Sequence, residues 1–128
     1  MSCENDLFCG INSAVGKKPE KMTDLEKKHT PVIESPDKVK AGEYFEVKVS
    51  TGVYMVHPNE YGHHFSWIEL YLDDTPVGRV ELQPVMSSPS VTFKVSATHS
   101  HEGERKLKAL AFCNLHGVWK GEKDIEVE

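Results

Sequence analysis

Apolar and polar residues alternate at every second position over much of this chain, and that pattern limits its fold more than any other feature. Phe45, Val47 and Val49, for example, alternate with Glu46 and Lys48. This period matches a β-strand with one buried face and does not match a helix. No ten-residue segment shows a sustained helical period with capping residues, so the sequence predicts a fold built from strands.

The alternation predicts about seven strands, and residues typical of turns (Gly, Pro, Asp and Ser) lie between most of them. The predicted strands are 32–33, 43–50, 63–72, 77–82, 91–97, 106–112 and 125–127. Strands of this number and spacing indicate an all-β fold, an immunoglobulin-like antiparallel β-sandwich.

The third predicted strand carries large apolar side chains on both faces. Strict alternation places Phe65, Trp67 and Tyr71 on one face and Ile68 and Leu70 on the other. We therefore expect this strand in the centre of a sheet.

Residues 1–24 differ from the rest of the chain, because they show no sustained period and contain Gly10, Gly16 and Pro19. They are predicted to form an irregular N-terminal arm, followed by one β-sandwich domain over residues 25–128. A chain of 128 residues fits a single domain of this kind.

The composition excludes two kinds of partner. The 15 Lys and Arg residues against 20 Asp and Glu residues give a net charge of −5, whereas nucleic-acid binding needs a basic face. No apolar run approaches the roughly 20 residues of a membrane span, and the N-terminus lacks the segment typical of a secretory signal. We expect no nucleic acid, no membrane and a cytoplasmic location.

The three cysteines are an odd number and too few for a disulfide scaffold. Cys3 and Cys9 are predicted to be free thiols in the arm, with an adventitious disulfide as the alternative. Cys113 continues the inward face of the strand predicted at 106–112, and His116 follows three residues later in a turn.

Thiolate and imidazole groups suit Zn, Cu or Fe rather than Mg or Ca, so Cys113 and His116 could bind one metal ion. His57, on another predicted loop, and His63, where that loop runs into the third predicted strand, could complete the site. Taken singly, Cys113 could equally be a small core residue, and His57 or His63 a solvated loop residue. His64, His99 and His101 are expected to have structural or solvent-exposed roles.

Three motifs in this order resemble those of superoxide reductases of the one-iron neelaredoxin type, which are related to the iron-binding half of desulfoferrodoxin. The motifs are Lys-His-x-Pro-Val-Ile at 28–33, His-Pro-x4-His at 57–63 followed by Trp-Ile-Glu-Leu at 67–70, and Cys-Asn-x-His-Gly-x-Trp at 113–119. The resemblance covers about residues 25–128. It implies an immunoglobulin-like sandwich that binds one iron ion per chain.

The resemblance also implies a set of metal ligands. The equatorial ligands would be His29, His57, His63 and His116, and the axial ligand the thiolate of Cys113. Five ligands leave one octahedral position open, and zinc prefers four ligands and has no redox couple, so this set argues for iron.

The implied activity is the one-electron reduction of superoxide to hydrogen peroxide, with a rubredoxin-like donor restoring the reduced iron. Family members of this type imply a homo-oligomer, a tetramer or a dimer. Two alternatives remain open at the level of sequence. One is an iron-dependent sensing or electron-transfer module without fast turnover, and the other is a structural zinc site.

Two further residues take catalytic roles by resemblance. Lys28 would attract the anionic substrate, and Glu26 is a candidate sixth ligand of the oxidised iron. Most relatives read Glu-Lys-His here, but this chain has Lys27 in the position of that glutamate. Moving a carboxylate by one residue turns it to another face, so solvent is favoured over Glu26.

Overall fold

The computed structural model describes residues 6–128, so Cys3 lies outside the described residues. Within them the chain forms nine strands, one α-helix and two short 3₁₀ turns at Pro19–Lys21 and His99–His101. The α-helix is α1 (Asp24–His29), and the strands are β1 (Ile11–Ser13), β2 (Val32–Glu34), β3 (Lys38–Val39), β4 (Tyr44–Ser50), β5 (Phe65–Leu72), β6 (Thr75–Glu81), β7 (Ser90–Ser96), β8 (Gly103–Cys113) and β9 (Gly117–Val127).

The strands form two sheets, and the predicted all-β sandwich is confirmed. The larger sheet has the order β1-β9-β8-β5-β6, with β3 also paired to β9, and the smaller has the order β2-β4-β7. Most neighbours are antiparallel, but β1 and β3 both pair with β9 in parallel. Strand β5 lies between β8 and β6, which agrees with the central position predicted for it.

The core lies between the sheets and is formed by the alternating inward residues of both. Val47 and Val49 from the small sheet are fully buried, as are Ile68, Leu70 and Leu107 from the large one. Truncating such a residue to alanine typically costs about 2–5 kcal/mol of stability, because the cavity it leaves refills only partly. This core holds the ends of β5, β8 and β9 in fixed relation.

Strand β5 departs from strict alternation at its start. Phe65 pairs with Cys113, and the register then shifts so that Trp67 pairs with Phe112. This bulge places Phe65 on the core side together with Ile68, and both are buried, whereas Trp67 is only half-buried. The prediction that Phe65 and Trp67 share a face is therefore wrong. Sequence alternation alone does not reveal a bulge.

The described part of the N-terminal arm is tied to the large sheet. Strand β1 pairs with β9, and the Asn12 side-chain amide donates to the carbonyl oxygens of Leu7 (2.9 Å) and Val118 (3.0 Å). Cys9 is disulfide-bonded, so the prediction of a free thiol at this position is wrong.

Helix α1 was not predicted, and it lies where the arm was expected to meet the sandwich domain. It begins with a capping box in which Thr23 Oγ1 accepts from the Glu26 amide and the Glu26 carboxylate accepts from the Thr23 amide. With six residues, α1 is far too short for a bilayer, and no other helix in residues 6–128 is a candidate for crossing one.

Candidate metal centre

All five predicted metal ligands lie together at one end of the sandwich. Their ligand atoms are all within 4.8 Å of one another, and the five residues are His29, His57, His63, Cys113 and His116. They come from the last residue of α1, the loop between β4 and β5, the last residue of β8 and the turn that follows β8. The fold therefore brings together residues from three distant sequence segments.

His29 is held in one orientation by its own helix and by a ring on β9. Its Nδ1 donates to the Leu25 carbonyl oxygen at 2.7 Å, which leaves Nε2 as the nitrogen that faces the site. The Trp119 ring stacks on the His29 ring, with ring centroids 5.2 Å apart. The indole N–H of Trp119 donates to the His116 carbonyl oxygen at 3.0 Å. Trp119 thus contacts two ligand residues, a role that sequence reasoning missed although the tryptophan belongs to the third motif.

His57 is fixed by the same kind of bond. Its Nδ1 donates to the Pro58 carbonyl oxygen at 2.6 Å, so its Nε2 is also left with a lone pair. The two Nε2 atoms of His29 and His57 lie 3.2 Å apart. Because neither can donate to the other, these lone pairs repel unless a cation lies between them.

Burial keeps both rings neutral. Burial, together with the other histidines of the site, lowers the pKa of His29 and of His57 to about 4. Burial also lowers the pKa of His116. Neutral imidazole is the form that binds metal ions, so these histidines are ready to bind near neutral pH.

Cys113 provides the only thiol of the cluster and is fully buried. Its Sγ lies 3.5 Å from His57 Nε2 and 3.7 Å from His116 Nδ1. Burial raises the pKa of this thiol, while the backbone N–H groups of Leu115 and His116 donate to the sulfur and lower it. A bound cation would favour the thiolate further.

His63 provides the clearest test of whether the cluster fits a metal ion. Its Nε2 is one of two buried side-chain nitrogen or oxygen atoms within residues 6–128 that have no hydrogen-bond partner. A buried nitrogen without a hydrogen-bond partner, among four other potential ligand atoms, fits a role as a metal ligand.

The donor set fits iron. Nitrogen ligands about 2.1 Å from an ion and at right angles to each other would lie about 3.0 Å apart, close to the 3.2 Å between the Nε2 atoms of His29 and His57. Four imidazoles and one thiolate exceed the four ligands usual for zinc, and they are softer than the oxygen ligands of Mg or Ca.

Comparison with known proteins agrees with this geometry. The model of the desulfoferrodoxin family matches residues 21–122, a range that contains all five clustered residues. The chain belongs to the desulfoferrodoxin family. A chain of Methanocaldococcus jannaschii is 47% identical over 121 residues, covering 94% of this chain and 97% of its own.

Two further relatives of this desulfoferrodoxin-family chain are named superoxide reductases. The superoxide reductase of Pyrococcus horikoshii is 38% identical over 108 residues, which cover 77% of this chain and 88% of the relative. The solved structure of a superoxide reductase (neelaredoxin) from Ignicoccus hospitalis is 37% identical and superposes with a TM-score of 0.76, covering 92% of this chain and 95% of that one.

Lys28 lies next to the cluster in this family member. It immediately precedes His29, and its positive charge lowers the pKa of both His29 and His116. The charge of Lys28 therefore acts on two of the clustered histidines, and its role towards a substrate stays a prediction.

Glu26 lies outside the cluster and is engaged elsewhere. Its carboxylate accepts from the Thr23 amide at 2.9 Å and from Lys17 Nζ at 2.9 and 3.1 Å. The bond from Thr23 and the pairing with Lys17 lower the pKa of Glu26. Its carboxylate thus holds the start of α1 rather than facing the metal ligands.

The remaining histidines are also outside the cluster. His64 is half-buried, and its backbone N–H donates to the Asn114 side chain at 2.8 Å. His99 and His101 lie in the 3₁₀ turn before β8, far along the chain from the ligands, and contact Glu102 and Thr98.

Proposed function

We propose that this chain is a superoxide reductase whose iron is held by His29, His57, His63, His116 and Cys113. The observation that carries this proposal is the pair of Nε2 lone pairs 3.2 Å apart beside a buried thiol. An electron-rich thiolate in a five-ligand set supports redox chemistry at an open position rather than a structural role.

The reaction is the addition of one electron and two protons to superoxide, which gives hydrogen peroxide. An iron ion bound in this cluster would supply the electron by passing from Fe(II) to Fe(III), and an external one-electron donor would restore it. The protein's own residues orient the ligands through Leu25, Pro58 and Trp119, and keep the thiolate side of the site free of bulk water.

Lys28 is proposed to gather and orient the substrate anion. Its charge acts on His29 and His116, on a chain whose net charge is −5. A cation at a site entrance raises the local concentration of an anionic substrate. A rubredoxin-like donor and a homo-oligomer stay predictions of the family resemblance, and a cytoplasmic location stays a prediction from the sequence pattern.

The test of this function is the yield of hydrogen peroxide by the iron-loaded protein. A reductase forms one peroxide for each superoxide consumed when a donor is present, whereas dismutation forms one for every two. A visible thiolate-to-iron charge-transfer band in the oxidised protein would exclude a structural zinc site. Negligible consumption of superoxide with the band present would favour the sensing or electron-transfer alternative.

Lys28→Glu is expected to slow the reaction with superoxide by about tenfold at low ionic strength, because it replaces attraction by repulsion beside the clustered histidines. Added salt should then raise the rate, whereas it should lower the rate of the parent. The measurement is the second-order rate constant as a function of ionic strength.

Lys27→Glu is the matched control, since it makes the same change of charge one residue away. It is expected to change the rate much less. Equal effects of the two variants would show that overall charge, rather than Lys28 itself, governs the reaction.

We also propose that Glu26 is not a ligand of the oxidised iron and that solvent takes that position. Glu26→Ala is expected to leave the ferric absorption band and its pH dependence unchanged. The variant should lose about 1 kcal/mol of stability, because the capping box and the bond from Lys17 are lost.

Glu26→Gln separates these two effects, since its amide oxygen can still accept from the Thr23 amide while the negative charge is removed. It should recover part of the lost stability and keep the parent spectrum. A large spectral change at neutral pH in either variant would identify Glu26 as a ligand.

A further inference from the structure

Asn114 joins the two loops that carry three of the five ligands. It lies between Cys113 and His116 on the turn after β8. Its backbone N–H donates to the His64 carbonyl at 3.1 Å, and its side-chain oxygen accepts from the His64 N–H at 2.8 Å. Its side-chain nitrogen donates to the Gly62 carbonyl at 2.9 Å.

These bonds hold the backbone on both sides of His63. The turn that carries His63 is also closed by its own bonds, since Glu60 and His63 exchange two backbone hydrogen bonds at 2.9 and 3.1 Å. The turn 60–63 therefore behaves as one unit, and Asn114 fixes this unit to the end of β8.

His63 needs such support more than the other histidines. The rings of His29 and His57 are each oriented by a bond from Nδ1 to a backbone carbonyl. The ring of His63 makes no hydrogen bond with the described part of the chain, and its buried Nε2 has no partner. Its position relative to Cys113 therefore depends on its backbone, which Asn114 holds.

We propose that Asn114 is a positioning residue that fixes His63 relative to Cys113 and His116, and thereby sets the metal affinity and electronic properties of the centre. This inference rests on the five residues binding a metal as proposed above, but it does not depend on the reaction with superoxide. Asn114 is not one of the five clustered residues, and it acts through His63.

Asn114→Ala removes both side-chain bonds to the His63 turn. The test loads the variant and the parent with Co(II), measures the dissociation constant by competition with a chelator, and records the thiolate charge-transfer band. We expect Co(II) to bind about tenfold to a hundredfold more weakly, the usual cost of losing a group that orients a metal ligand. We expect the band to shift in both the Co(II) and the ferric iron forms.

Asn114→Asp gives an intermediate case, because one oxygen can still accept from the His64 N–H while the other faces the Gly62 carbonyl without a proton to donate. It should lie between Asn114→Ala and the parent in affinity and in band position. It also serves as the test variant if Asn114→Ala does not fold.

Tyr61→Ala is the control on the same turn, since the Tyr61 side chain is 75% exposed. It should match the parent in Co(II) affinity and band position. A folded Asn114 variant with the parent's Co(II) affinity and an unmoved band would overturn the inference, even if its stability were reduced. Because the readouts use Co(II) and a spectrum, they remain decisive if the protein fails to reduce superoxide.

Discussion

Replacing Cys113 with serine is expected to abolish both peroxide formation from superoxide and the visible charge-transfer band of the oxidised protein. Cys113 is the only thiol in the cluster, and it is fully buried beside His57 and His116. A serine hydroxyl is nearly isosteric, but it does not ionise near neutral pH and cannot donate electron density as a thiolate does. The measurements are peroxide yield and absorption spectrum after loading with iron.

Ala109→Ser is the matched control for burying a hydroxyl group in this strand. Ala109 lies on the same inward face of β8 as Cys113 and is fully buried, but it is not part of the cluster. It should keep the band and the activity while losing some stability. Retention of either the band or the activity in Cys113→Ser would refute the assignment of Cys113 as a ligand.

The sandwich could be predicted from the sequence because its strands are half-buried and alternate. Val47 and Val49 face the core as their spacing indicated. The clustering of the five candidate ligands could be predicted because the three motifs that contain them resemble those of a known family. Such motifs remain recognisable even when they lie far apart in the chain.

Features that depend on tertiary contacts were not predictable in this way. Strands β1 and β3 have three and two residues, too few to show a period, and both exist because β9 offers them a partner. Helix α1 has only six residues, but Thr23 followed by Glu26 is a capping-box signal that could have located its start.

The orientations of the clustered imidazole rings could not be predicted from the sequence either. Whether Nε2 or Nδ1 faces the site depends on carbonyl groups such as those of Leu25 and Pro58, whose positions follow from the backbone path. The role of Glu26 illustrates the same limit. Its spacing from His29 left two interpretations, and the contacts with Thr23 and Lys17 favour one of them.

Gly117→Ala is expected to be the most destabilising single methyl addition at the metal end of the fold, at about 4 kcal/mol. Gly117 has a positive φ of +84°, which alanine adopts only with strain of about 1–3 kcal/mol. An added Cβ would also lie 2.1 Å from the Leu7 carbonyl oxygen and 3.2 Å from Asn12 Nδ2. The arm or the turn that carries His116 must therefore move, and overpacking of this kind costs about 1–3 kcal/mol more.

Two other glycines separate the contributions of strain and steric clash. Gly103 has a φ of +109° with open space around its Cβ position, so Gly103→Ala should show the strain alone. At Gly121 no positive φ is present, but the Cβ would lie 2.1 Å from the Pro31 carbonyl oxygen, so Gly121→Ala should show mainly the clash. Urea unfolding of the three metal-free variants gives their free energies of unfolding.

Gly117→Ala should also weaken Co(II) binding, because the residue follows His116 directly and is the first residue of β9, the strand that carries Trp119. Gly103→Ala lies at the far end of β8 from Cys113, so it should leave the affinity unchanged even where its stability falls. If Gly117→Ala were no less stable than Gly103→Ala and bound Co(II) as the parent does, the N-terminal arm would not be held against the His116 turn in solution. The contact between Leu7 and Gly117 would then have no part in positioning the metal ligands.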